Sequence, residues 1–105
     1  MGNDVSLTVR LPKDLNSELT NLSKKLGITK VNLLRFAVHY FLQDKPTTLT
    51  FDTSIVEDEK FRFAFNVNRT AYELLNSASE EYGQSINSVV TSIAFLALKH
   101  YSRYL

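Results

Sequence analysis

Apolar and polar residues alternate from Val5 to Leu11, with Val5, Leu7, Val9 and Leu11 apolar and Ser6, Thr8 and Arg10 between them. This period of two predicts a β-strand with one face against a core and the other in water. From Pro12 to Gln43 the spacing becomes helical and no second strand follows, yet a lone strand leaves its backbone groups unpaired. A second strand of the same kind lies 56 residues further on, where Phe63, Phe65 and Val67 fall under Leu7, Val9 and Leu11. The whole pattern then repeats in register. Leu15, Leu19, Leu22 and Leu26 form a helical stripe spaced four, three, four, and Ala71, Leu75, Ala78 and Tyr82 form the same stripe in the second half.

The boundaries agree with this pattern. Pro12 fits a helix start and Asn68, at the matching place, is a good N-cap. Gly27 and Gly83 are placed to end the first helix of each half, and Thr29 and Ser85 to cap the second. The second helices carry Leu33, Leu34, Ala37, Val38 and Phe41 in one half and Val89, Val90, Ile93, Ala94 and Ala97 in the other. The expected chain is mostly α, each half reading as strand, helix, turn, helix. It comprises a first repeat over 1–43, an acidic connector over 44–60 with an extended piece near Thr48 to Phe51, and a second repeat over 61–105. Phe61, Phe63, Phe65, Tyr82 and Phe95 are assigned to core faces.

Composition narrows the chemistry. The chain has 105 residues, 44% of them hydrophobic, enough for one modest core. With no cysteine, disulfides, thiolate metal sites and thiol nucleophiles are excluded, which fits a reducing cytoplasm. No signal peptide or membrane span is expected, because the N-terminus lacks an apolar stretch and the run from Val89 to Leu98 is broken by Thr91 and Ser92. Net charge is +1 overall but unevenly spread, at +3 over residues 1–43, −3 over 44–60 and +1 over 61–105. His39 and His100 have no ligand set beside them, and Glu57 to Glu59, like Glu80 and Glu81, read as solvated. No nucleophile motif, phosphate loop or carboxylate pair points to an enzyme, so no catalytic residue, metal or cofactor is assigned.

Strand, helix, glycine turn and capped helix in about forty residues resembles the ribbon-helix-helix family of DNA-binding proteins, which includes the Arc and Mnt repressors. GQSINSVV, residues 83–90, is the most similar piece, and GITKVNLL, residues 27–34, is a looser version. Two halves in one chain resemble the tandem TraY-type proteins of conjugative plasmids and some viral regulators. The resemblance implies a tandem ribbon-helix-helix fold, mostly α, whose two strands pair within the chain as a two-stranded antiparallel β-ribbon that enters the DNA major groove, an intrachain pseudo-dimer. A 17-residue connector spans about 55 Å when extended, enough for the second strand to return beside the first in the same chain.

On this resemblance Ser6, Thr8 and Arg10 of the first strand and Arg62, Ala64 and Asn66 of the second are the base-reading positions, and the two unequal triplets imply an asymmetric half-site. Arginine suits guanine, asparagine suits adenine, and threonine or alanine suits the thymine methyl. Thr29, Lys30, Ser85 and Asn87, at the starts of the second helices, are the expected phosphate contacts, with Ile86 in the place of Lys30 in the second half. The implied role is a cytoplasmic repressor or an accessory factor at a plasmid transfer origin, with chains self-associating on repeated sites. The tail KHYSRYL is a candidate contact between chains. The competing expectation is a protein-binding or antitoxin-like partner on the same fold, favoured by near-neutral charge, Ala64 and Ile86; an antitoxin usually needs a further tail for its toxin.

Overall fold

The structure, a computed structural model, describes residues 4–51 and 60–104. Its order is β1 (Val5–Pro12), α1 (Lys13–Leu26), α2 (Lys30–His39), a π-helical turn (Tyr40–Asp44), β2 (Lys60–Val67), α3 (Arg69–Tyr82), α4 (Ile86–Tyr101) and a short 3₁₀ turn (Ser102–Tyr104). The described residues are thus mostly helical, with four α-helices and one two-stranded antiparallel sheet. The strands pair within the chain. Thr8 faces Ala64 at mid-ribbon, Arg10 faces Arg62 towards one end and Ser6 faces Asn66 towards the other.

Alternation decides which ribbon face is buried. Val9, Leu11, Phe65 and Val67 are buried, while Ser6, Thr8, Arg10, Arg62, Ala64 and Asn66 are all exposed. The core under the ribbon draws on both halves, with Leu11, Leu19, Leu33, Leu34, Leu75, Val89, Val90 and Ile93 all but closed to solvent. Burying side chains of this size stabilises the fold by about 1.5 to 3 kcal/mol each.

Helix ends follow the expected residue chemistry. Gly27 and Gly83 adopt φ of 76° and 63°, a left-handed conformation that costs glycine little. In each case the following residue completes the stop, Ile28 N–H donating to Ser23 O and Gln84 N–H to Ser79 O, both at 3.0 Å. Thr29 Oγ1 accepts from Asn32 N at 3.1 Å and Ser85 Oγ from Ser88 N at 3.0 Å, while Asn68 caps α3 through Ala71 N at 2.7 Å.

The expected core placement of Phe61 and Phe95 is corrected. The piece near Thr48 to Phe51, where an extended run is expected, joins no sheet and is held by side chains, Leu49 N donating to the Tyr82 hydroxyl at 3.1 Å and Ser92 Oγ to Thr50 O at 2.7 Å. Leu49 is buried. Thus the first residues of the connector help to close the core. Phe61 and Phe95 are 45% and 42% exposed, because Phe61 sits at the ribbon end and Phe95 on the outer side of α4. Glu57, Asp58 and Glu59 lie outside the described residues. Among the described residues no helix is long and apolar enough to cross a membrane.

Candidate nucleic-acid interface

The six residues expected to read bases come together on the outer face of the ribbon. Helices from below fix that face through the strand edges. Asn87, one residue into α4, forms a two-point clamp on β1: Arg10 N donates to its Oδ1 at 2.7 Å and its Nδ2 donates to Arg10 O at 3.0 Å. Arg35 of α2 holds β2, its Nε donating to Asn66 O at 2.7 Å while one terminal nitrogen reaches Asn32 Oδ1 at 3.3 Å. Each second helix therefore grips the strand belonging to the other half of the chain. These bonds fasten the amphipathic ribbon to the helices through both of its edges.

Arg10 spends both backbone groups on Asn87, so it faces Arg62 as a non-hydrogen-bonded pair, the closer kind, with Cα atoms about 4.5 Å apart. Two like charges are thus set directly opposite one another, an arrangement that destabilises a sheet. Thr8, Arg10, Lys60, Arg62 and Asn87 line an open depression there, with no carboxylate among its lining residues that the structure describes. This end of the outer face is cationic and hydrogen-bond-donating. At the other end the outward pair, Ser6 opposite Asn66, is polar and uncharged, with the Arg35 guanidinium bonded to the Asn66 carbonyl at the ribbon edge.

The expected phosphate contacts have structural partners already. Thr29 and Ser85 point their hydroxyl oxygens at their own helix starts. Lys30 Nζ donates to Asn16 Oδ1 at 2.6 Å and lies 4.7 Å and 4.2 Å from the ring centres of Phe61 and Phe63. Cation–π contact with two rings holds the ammonium, and burial pushes its pKa below the ordinary lysine value. Lys30 thereby ties α1, α2 and β2 together, and Asn87 acts on β1. Of the four, Thr29 and Ser85 are exposed. The roles of Asn87 and Arg35 were missed by sequence reading, because nothing local in a sequence marks a side chain that bonds a strand dozens of residues away.

His100 packs among Tyr40, Phe41 and Tyr101, with ring centres 5.0, 5.7 and 4.9 Å away. That is a packing role. Among the described residues no group of three or more His, Cys, Asp or Glu side chains is arranged to hold a metal ion.

Comparison of the chain with protein-family models, with curated proteins and with solved structures finds no match. What the ribbon face does must be read from its own residues.

Proposed function

We propose that this chain is a sequence-specific double-stranded DNA-binding protein of the ribbon-helix-helix kind, both halves lying in one chain as a pseudo-dimer. It acts as a transcriptional repressor or as an accessory factor at a plasmid transfer origin. The observation that carries this reading is the pairing register: the 56-residue offset takes Thr8 onto Ala64, the pair at mid-ribbon. Pairing is therefore symmetric about the centre, as two related halves sharing one ribbon require. A single strand pair is what such a fold contains, one strand from each half.

The outer face suits a major groove in size and chemistry. A two-stranded ribbon fits a groove about 12 Å wide, and the exposed side chains include two arginines, an asparagine and a threonine, all of which bond base edges. The exposed helix starts at Thr29 and Ser85 present backbone N–H groups to flanking phosphates. One ribbon touches few base pairs, so useful affinity requires chains side by side on repeated sites.

A second reading, protein binding, is favoured by one feature. Exposed Phe95 with Leu22 and Leu98 floors a groove between α1 and α4, rimmed by Glu18, Lys25 and Lys99. Selection of bound sites from random duplex DNA, repeated at rising salt, separates the two readings. A DNA reader yields a recurrent site and loses affinity steeply with salt. Failure to enrich any sequence contradicts the proposal and favours the protein-binding reading.

A further inference from the structure

We infer that the ribbon is a directional reader. It lies on a non-palindromic site in one orientation, with the Arg10 and Arg62 end over guanines and the Ser6 and Asn66 end over a stretch that guanine does not define. This inference rests on the DNA-binding reading above and adds the polarity of the site.

The register carries the inference. Taken one strand at a time, each outward triplet has a single arginine, Arg10 in β1 and Arg62 in β2, and they occupy inequivalent positions in the two halves. Antiparallel pairing brings both arginines to the same end as direct partners, with Lys60 one pair further out opposite Pro12. The opposite end pairs Ser6 with Asn66, and the middle pairs Thr8 with Ala64. Among the outward-facing ribbon side chains the cationic fork donors are thus concentrated at one end; at the other, the nearest guanidinium is Arg35, whose Nε is engaged on the Asn66 carbonyl.

Guanine is the base that such an end selects. Each guanine edge offers two acceptors, O6 and N7, which an arginine fork engages together. Neighbouring guanines also place negative potential between two guanidiniums that otherwise repel one another across the ribbon. Asn87 fixes the backbone of Arg10 from below through two bonds, so this arginine starts from a braced position. Swapping the ends of the ribbon brings Ser6 and Asn66 onto the guanines, and neither side chain supplies a guanidinium fork. The reversed orientation is therefore the weaker one.

The test uses the full chain and sites selected from random duplex. Enriched sites should show guanines at one end only. Replacing those guanines by 7-deazaguanine, which lacks the N7 acceptor, should weaken binding roughly ten-fold, and Arg10→Ala or Arg62→Ala should weaken it similarly, each removing sensitivity to the modified base at one guanine position and leaving it at the other. Because the chain has no cysteine, a single Asp4→Cys variant carries an iron-chelate cleavage reagent at the opposite end of the ribbon. It should cut the duplex on the side away from the guanines only.

Guanines at both ends or at neither, or cutting on both sides, overturns the inference while leaving DNA binding standing. So does tolerance of 7-deazaguanine combined with lost affinity when the nearby phosphates are replaced by methylphosphonates, which assigns the arginines to the backbone. Absence of any duplex binding removes the DNA-binding reading itself, and the directional reading with it.

Discussion

The two helix-helix turns, residues 27–30 and 83–87, share a backbone and differ in chemistry. Both stop a helix at a left-handed glycine and restart it with a hydroxyl cap at nearly equal distances. Beyond that the first turn carries Lys30, caged by Asn16 and two phenylalanine rings. The second carries Ile86, half-buried, and Asn87, clamped on β1. Capping rules dictate the turn, while the means of fastening a strand to the helices beneath is open to whichever side chains reach it. The two turns are therefore closer in backbone than in side-chain chemistry, and the surfaces they present need not match.

The comparison breaks first in the core, if the halves are not one folding unit. Leu34→Ala in α2 and Ile93→Ala in α4 should each cost about 2 to 5 kcal/mol, because both side chains are fully buried. Each should shift one common denaturation transition followed by circular dichroism and tyrosine fluorescence. Two separate transitions, each moved by only one substitution, contradict a shared core.

The strand fastenings come next. Asn87→Ala removes two bonds to the β1 edge and should cost about 1 to 2 kcal/mol, against about 0.5 to 1 for Arg35→Ala on β2. Equal effects in thermal melts remove the contrast between the two grips.

The turns should then prove alike. Gly27→Ala and Gly83→Ala should each cost about 1 kcal/mol, from the positive φ alone, since an added Cβ meets nothing within 4 Å at either site. Thr29→Ala and Ser85→Ala should each cost about 1 kcal/mol through the lost caps.

The smallest effect concerns Lys30. Its pKa is depressed in the fold by desolvation, so above that lowered value the unfolded chain binds more protons and stability rises with pH until the unfolded lysine has also titrated. The cost is fully present below the lowered value and is relieved as pH rises through it towards the ordinary lysine value. Lys30→Met should flatten that part of the stability profile, measured by urea titrations at stepped pH.

Much of the fold was legible because it depends on local rules. Strand alternation around Val5 to Leu11, the glycine stops and the hydroxyl caps are each decided by a few neighbouring residues. Features that depend on distant partners were not legible. The cage around Lys30 joins α1, α2 and β2. The burial of Leu49 relies on Tyr82, 33 residues away. Alternation also placed Phe61 on the inner face correctly in parity, yet the strand end lacks a helix to cover it fully. The outer-face residues were legible from parity, while the meeting of Arg10 with Arg62 appears only once the register is in hand.

The central claim is that the outer face of the ribbon is the DNA-contacting surface, and amide chemical-shift mapping of the full chain with a selected duplex tests it most directly. The expected shifts fall on Ser6, Thr8, Arg10, Arg62, Ala64 and Asn66 and on the helix starts at Thr29 and Ser85. Shifts confined to the α1–α4 groove around Leu22, Phe95 and Leu98, with the ribbon amides unmoved, contradict it.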